Sequence, residues 1–308
     1  MEDYVQANTN GQLHDAREPS LSPLDRSFLY GDSVYEVVRT YDGILFAYQE
    51  HFERMERSAT ALGLQLPFTD SVLLTEIRRT VSGFRQRQPA TSGEDLYVRI
   101  QVSRGCGDIG LDVSLAEETS FVILVKALQA DDGAKEKKSR GWALTVARTL
   151  QRNSVHSLNP AWKTGNYLNN LLALREARGR RKKDVLLTNS EGFLTEASTS
   201  NVFFIKDREL ITPRLEDGIL AGVTRKILLE QASNAWDIGV VERGVRVDEL
   251  SSFDECFLSC TTRDIVPVGS IDEIRYRCGV RSLSQRLKKM FRQYVEDYNR
   301  KNPMLTIC

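Results

Sequence analysis

The chain has 308 residues, of which 41% are apolar and 27% charged, and its 42 Lys plus Arg balance 42 Asp plus Glu. It is too apolar and too balanced to be disordered, and long enough for one large domain or two ordinary ones. Zero net charge gives no global case for nucleic acid or an anionic membrane, no apolar run reaches bilayer length, and Met1-Glu2-Asp3-Tyr4 does not open a secretory signal, so a cytoplasmic protein with neither partner is expected.

In chain order, residues 33–41 are β-rich, Asp42-Gly43 is a hairpin signal, and 44–48 resume as a second strand. Residues 50–62 have helical spacing, with Phe52, Met55, Ala59 and Leu62 on one face, and 72–84 offer a second helix. Residues 96–103 and 121–125 read as buried strands. The run 129–141 is polar, charged and glycine-containing, and reads as an interdomain linker. It separates a small N-terminal domain, 1–128, from a larger C-terminal domain, 142–308. Beyond it, 142–146 is a strand and 165–178 an amphipathic helix through Leu168, Leu171, Leu172 and Arg175. Three strands follow at 184–188, 193–196 and 201–205, with turns between them. Helices near 222–231 and 282–298 complete the chain. Strands and helices mix without regular βαβ alternation, which favours α+β over a doubly wound sheet.

Five cysteines, Cys106, Cys256, Cys260, Cys278 and Cys308, are odd in number and sparse, and read as reduced thiols. Cys256 and Cys260 have no second pair and no nearby His, so no metal site is expected. Gly105-Cys106-Gly107-Asp108-Ile109-Gly110 matches a dinucleotide fingerprint after a strand, but no helix opening follows. A flexible glycine loop near a substrate is the better reading. The basic runs 135–140 and 178–183 read as part of the linker and a solvated helix end.

The stretch from Asn159 to Asn170 is the most informative. Lys163 sits there at a loop-to-helix junction beside Trp162. Screening a lysine from water favours its neutral, nucleophilic amine, which condenses with aldehydes. A solvated surface lysine is the alternative. Glu196 ends a strand in a weakly polar stretch. It suits a cofactor's pyridinium nitrogen, or equally a structural carboxylate that caps a turn or pairs an arginine. Gly222-Val223-Thr224 opens a helix whose free N–H groups can hold a phosphate, and Thr261-Thr262 offers hydroxyls and amides after a strand. Ordinary capping is the alternative for both.

These residues resemble a class IV, fold-type IV aminotransferase dependent on pyridoxal phosphate. Branched-chain and D-amino acid aminotransferases are members, and aminodeoxychorismate lyase is a close relative. The resemblance runs from about Leu29 to Val268. It is carried by Tyr30-Gly31-Asp32 to Arg39, His51-Phe52-Glu53-Arg54, Lys163 to Leu168, Glu196 to Phe203, Gly222 to Arg225 and Thr261 to Pro267. It implies a two-domain fold, the larger domain carrying a pseudo-barrel, and a homodimer to which the 105–110 loop contributes.

The resemblance also implies roles. Lys163 matches the catalytic Schiff-base lysine that moves the α-proton, Glu196 the carboxylate at the pyridine nitrogen, and Arg54 the arginine on the phosphate. Gly222, Val223 and Thr224 match the helix-end phosphate site, and Thr261 and Thr262 the second phosphate-side loop. The Tyr167 phenol helps position the cofactor. On the substrate side stand Tyr30, Tyr35, Tyr97 and Arg99. Tyr97-Val98-Arg99 is similar to the branched-chain enzymes, with Tyr97 lining an apolar pocket and Arg99 on a carboxylate; an ion-paired strand arginine is the alternative. Tyr35-Glu36-Val37 is similar to the D-amino acid enzymes, because the branched-chain pattern puts Phe at 35 and Gly at 37. Yet the loop after Ser103-Arg104-Gly105 lacks the Arg-x-His carboxylate trap of those enzymes. The expected reaction is transamination of an apolar, branched-chain-like amino acid with 2-oxoglutarate as acceptor. D-amino acid transamination, lyase action on aminodeoxychorismate, and a non-catalytic relative are the alternatives.

Overall fold

A computed structural model describes residues 4–91, 93–116, 118–128 and 140–307. The expected linker lies outside the described residues except for Arg140 and Gly141, as does Cys308. The chain forms two compact units: Met1–Gln129 with Trp162–Asn166 and Val295–Cys308, and Ala130–Ala161 with Tyr167–Tyr294.

The first unit contains β1 (Gln6–Thr9), β2 (Gln12–Asp15), α1 (Arg26–Tyr30), β3 (Ser33–Tyr41), β4 (Ile44–Leu45), α2 (Tyr48–Ala61), α3 (Asp70–Arg87), β5 (Leu96–Ser103) and β6 (Ser120–Ala127). The six strands form one antiparallel sheet in the order β2-β1-β6-β5-β3-β4. Asp42 and Gly43 take φ of 52° and 77°, which the two-residue hairpin turn between β3 and β4 requires. The expected second strand ends early because Ala47 turns left-handed, at φ 53°, and Tyr48 begins α2. Along β5, Leu96, Val98, Ile100 and Val102 are buried on one face, while Tyr97, Arg99 and Gln101 lie on the other. The buried face packs with Phe52 and Met55 of α2 and with Leu73, Ile77, Val81 and Phe84 of α3. Those four recur at helical spacing, and Thr69 caps the helix by accepting from the Val72 N–H.

The lysine segment adds to this sheet. The Tyr35 N–H donates to the Lys163 carbonyl at 2.9 Å, and the Gly165 N–H to the Ser33 carbonyl at 2.8 Å. Val34 and Thr164 pair as an antiparallel bridge between them. Extended backbone over 163–165 is why the expected helix starting at 165 begins only at Leu168.

The second unit contains β7 (Trp142–Val146), α4 (Leu168–Gly179), β8 (Asp184–Thr188), β9 (Leu194–Ala197), β10 (Asn201–Lys206), β11 (Glu209–Thr212), α5 (Val223–Asn234), β12 (Val240–Glu242), β13 (Glu255–Cys260), β14 (Asp264–Ile271), β15 (Ile274–Arg275) and most of α6 (Leu283–Lys301). Strands β10, β13, β14, β7, β8 and β9 follow one another around a closed ring, because β9 pairs back onto β10 through Glu196 and Asn201. This is the expected pseudo-barrel, within a mixed α/β fold. Strands β11 and β12 extend it from β10, and β15 from β14. Leu144, Leu186, Leu194, Val202, Phe204, Leu258 and Val268 fill its core. The Glu255 carboxylate accepts from the N–H groups of Leu283 and Ser284 at 2.8 and 2.9 Å and so starts α6.

The dinucleotide-like glycines have a packing role. A Cβ on Gly105 would lie 1.7 Å from the Glu118 carbonyl oxygen, and one on Gly107 1.9 Å from that of Leu115. The next regular strand is β6, not a helix. The basic run after α4 is also structural: Arg180 donates to Asp272 at 2.5 Å and Lys182 to the Asp272 carbonyl at 3.2 Å. No helix among the described residues is long and apolar enough to cross a membrane.

Ile77 is fully buried while Val72, on the same helix, is 49% exposed. Ile77→Ala is expected to cost about 2–5 kcal/mol in urea unfolding. Val72→Ala should stay within about 0.5 kcal/mol. Equal losses would contradict the placement of this helix face.

Candidate active site

The candidate site residues fall into two sets of side chains, one in each unit. In the first, the Lys163 N–H donates to the Ser58 Oγ of α2 at 3.1 Å, which with the β3 bonds fixes its backbone. Gly31 lies beneath this segment at φ 70°, where a Cβ would meet Asn166 Oδ1 at 2.4 Å; Asn166 Nδ2 donates to the Gly31 carbonyl at 2.8 Å. The Lys163 side chain is 9% exposed, and its amine sits 4.4 Å from the centre of the Tyr35 ring. The Arg99 guanidinium sits 3.8 Å from the same ring. Cations favour an aromatic face. Arg99 also donates to Gln101 Oε1 at 2.8 Å, and Gln101 to Ser33 Oγ at 3.1 Å.

The β3–β5 register sets Tyr35 opposite Gln101 and Arg39 opposite Tyr97. Tyr35, Tyr97 and Arg99 therefore share one sheet face with the lysine amine near it. Tyr30 is placed differently. Its hydroxyl accepts from the Gly110 N–H at 3.1 Å, so it anchors the glycine loop.

Arg54 lies against the other face of β3. Its Nε donates to Glu36 Oε1 at 2.7 Å and its Nη2 to Glu36 Oε2 at 2.8 Å. His51 Nδ1 lies 2.7 Å from the same Oε2, and its buried Nε2 has no hydrogen-bond partner among the described residues. Burial pushes the Glu36 carboxyl up, but the charge and hydrogen bonds of Arg54, then His51, hold it far below the usual carboxylate range. Burial pushes the His51 imidazole down, and this outweighs the attraction of Glu36.

In the second unit, Glu196 is buried where the barrel closes. Arg152 Nε and Nη2 both lie 2.9 Å from its Oε1. Its Oε2 accepts from the Leu220 N–H at 3.1 Å and faces Asn201 Nδ2 at 3.5 Å. The carboxylate thus pairs an arginine, one of the two roles the sequence left open, and Oε2 keeps room for a further donor. Tyr167 is the N-cap residue of α4, and Thr261 and Thr262 turn the chain after β13, with Thr262 Oγ1 3.8 Å from Cys260 Sγ.

A phosphate-bearing cofactor can be tested against the start of α5. Its N-cap, Gly222, supplies no side-chain cap, although Val223 and Thr224 are buried. A buried helix start requires acceptors for its N–H groups. A Cβ on Gly222 would lie 2.0 Å from Asn201 Oδ1, so the position excludes a side chain. Directly across the β10–β13 pairing from Asn201 stands Ser259, whose buried hydroxyl has no partner among the described residues. Uncapped N–H groups and an orphaned hydroxyl in one neighbourhood fit a group that brings acceptor oxygens. Among the described residues no cluster of His, Cys, Asp and Glu could hold a metal ion.

The sequence pointed to Lys163, Arg54, Glu196 and the glycine at 222. It missed Arg152, which lies 44 residues before Glu196 and carries no motif, and it gave Asn201, inside the Glu196 to Phe203 motif, no role of its own. It quoted Glu36 and His51 without a role. Two buried polar residues within reach of a motif arginine were the available signal.

A model of the family described as amino-transferase class IV matches residues 33–271. The chain is 33% identical over 287 residues to a putative branched-chain-amino-acid aminotransferase of Methanocaldococcus jannaschii, covering 92% of this chain and 94% of that protein. It is 29% identical over 290 residues to the aminodeoxychorismate lyase of Bacillus subtilis, covering 94% of each. The crystal structure of a branched-chain aminotransferase from Thermoproteus uzoniensis with norvaline superposes with a TM-score of 0.83 at 29% identity, over 95% of both chains.

The buried cluster around Arg54 gives stability a pH dependence of fixed sign. Glu36 titrates below its unfolded value, so its contribution is present above the unfolded carboxylate range, about pH 4.3, and is lost as pH falls below it. His51 also titrates below its unfolded value, so below about pH 6.5 the unfolded chain gains a proton that the folded chain resists. Both effects destabilise in acid. The urea midpoint should fall as pH drops below about 6.5, and His51→Gln should flatten the upper part of that fall, near pH 5–6.5. An identical profile in the variant would remove His51 from the account.

Proposed function

The chain belongs to the class IV aminotransferases, enzymes dependent on pyridoxal phosphate, and we propose that it moves the amino group of an apolar, branched-chain-like amino acid to 2-oxoglutarate. The observation that carries this reading is the Lys163 amine, buried beside the Tyr35 ring on a segment bonded to both β3 and α2. An amine held out of water at a fixed position is what covalent work on an aldehyde requires.

When bound, the cofactor supplies that aldehyde and a ring that draws off electron density. The chain's own groups do the rest. Lys163 would hold the cofactor, and its amine is the group that would take and return the α-proton as a general base and acid. Glu196 would hold a proton at the ring nitrogen. In the second unit the N–H groups of Val223 and Thr224, the Thr224 hydroxyl, Thr261 and Thr262 would hold the phosphate, with bare Gly222 leaving the start of α5 open to it, and the family resemblance gives Arg54 a phosphate role as well. Tyr167 steadies the ring. Arg99 meets a substrate carboxylate, with Tyr35 and Tyr97 beside it and Tyr30 behind the glycine loop.

A branched-chain reading is supported by the relatives at Methanocaldococcus jannaschii and Thermoproteus uzoniensis and by the Tyr97–Arg99 face. The D-amino acid alternative rests on Tyr35 and Val37, and the lyase alternative on the Bacillus subtilis relative. Retention of both Lys163 and Glu196 argues against a non-catalytic role. A cytoplasmic location is the reading that the composition supports.

Borohydride reduction of the cofactor-loaded protein should leave the phosphopyridoxyl mass on the peptide containing Lys163, and Lys163→Ala should abolish turnover with the fold intact. L-Leucine should bleach the visible band faster than D-alanine or aminodeoxychorismate. Bleaching by D-alanine alone would transfer the proposal to D-amino acids, and a mass on another lysine would reject the role of Lys163.

The reading includes a homodimer. Within the first unit, Phe28 and Ile109 are each 74% exposed and Leu111 is 81% exposed. Arg26 Nη1 ties α1 to this loop by donating to the Gly110 carbonyl at 2.9 Å. Large apolar side chains presented on an anchored loop suit a second copy of the chain. Sedimentation should give twice the mass of one chain, and Leu111→Asp should lower it without changing the circular dichroism. A wild-type monomer would overturn this part.

A further inference from the structure

We propose that Arg152 is a positioning residue that decides which side of the Glu196–cofactor contact carries the proton. This rests on the reading, given above, that Glu196 faces the ring nitrogen. A proton between a carboxylate and a pyridine has two resting places. One leaves a charged pair, N–H⁺ and carboxylate; the other leaves a neutral pair, pyridine nitrogen and carboxylic acid. The atoms are the same, and the surroundings choose between them. Burial alone favours the neutral pair, because a dry site disfavours separated charge. Glu196 is buried, with 5% of its surface exposed.

The surroundings oppose that preference. Arg152 places Nε and Nη2 on a single oxygen, Oε1, both at 2.9 Å. A guanidinium on a carboxylate favours its anionic form, and charge-assisted bonds are the strong ones. The guanidinium is itself held in place. Arg152 Nη1 donates to Asn170 Oδ1 at 3.2 Å, and Asn170 Nδ2 donates to the Ser198 carbonyl at 2.7 Å. Asn170 belongs to α4, and Ser198 follows Glu196 by two residues, so helix and strand end share one clamp.

The two carboxylate oxygens are therefore unequal. Oε1 is occupied by both arginine donors, while Oε2 has one backbone N–H, from Leu220, and the long Asn201 contact. Asn201 Nδ2 bonds the Leu220 carbonyl more closely, at 2.9 Å. Oε2 is thus the oxygen left to accept from the ring, and Arg152, acting through Oε1, keeps it a charged acceptor. The proton then resides on the ring nitrogen, where it makes the ring an electron sink.

The test uses protein loaded with pyridoxal phosphate labelled with ¹⁵N in its ring, read by the nitrogen chemical shift at neutral pH. Wild type should show a protonated ring nitrogen. Arg152→Gln should move the signal most of the way toward the unprotonated value, and Arg152→Lys, which keeps the charge, should restore most of the protonated signal. A protonated signal in Arg152→Gln would overturn the proposal while leaving the role of Glu196 intact. If Arg152→Gln does not fold, Asn170→Ala, which frees the guanidinium, should shift the signal in the same direction by a smaller amount; an unmoved signal there would also overturn it. Failure of the reading beneath it has a different signature: Glu196→Gln, which cannot act as the charged acceptor, would then leave the ring signal of wild type unchanged.

Discussion

One backbone pairing, Glu196 opposite Asn201, turns the large sheet of the second unit into a closed ring. Closure removes the exposed edges that an open sheet would present. It also fixes two side chains at the seam. Glu196 is gripped there by Arg152 and the Leu220 N–H, and Asn201 reaches the Leu220 carbonyl and lies where a side chain at Gly222 would have to go. The carboxylate and the uncapped start of α5 are therefore placed by the same pairing. Slipping either strand by one residue would turn its side chain to the opposite face and part the two.

The first unit reaches comparable precision by a different route. Strand β3 is used on both faces and on an edge. Toward α2 it presents Glu36, which binds Arg54 and His51 in a dry pocket. Toward the other side it presents Tyr35, beneath the amine of Lys163 and the guanidinium of Arg99. Along its edge it pairs with the lysine segment itself. A strand has the geometry for this, since alternate residues point to opposite faces while the backbone remains free to bond sideways. Burying the Glu36 carboxylate is tolerable only because a planar guanidinium matches both its oxygens.

Much of the fold was legible along the chain. The β3–β4 hairpin followed from Asp42-Gly43, and β5, β7 and β8 from their apolar runs. The strands beyond β10 were less so. Strand β14 contains Pro267, which argues locally against a strand, and β12 and β15 are too short to show a period. Lys163 was legible as a junction lysine, but its helix was expected to begin too soon, because only the pairing with Ser33 and Tyr35 keeps 163–165 extended.

The sequence by itself determined which chemical groups this protein has and their order: an amine beside a tryptophan, a carboxylate at a strand end, a glycine before a helix, and a Tyr-x-Arg strand. Those are local facts, carried by residue type and spacing. What tertiary structure decided is how each group is charged, partnered and aimed. Arg152 lies 44 residues before Glu196, and Ser58 lies 105 residues before Lys163. No local pattern joins such pairs, since each meets only after sheets and helices have packed, and it is burial that makes one hydrogen bond or one ion decide the state of its neighbour.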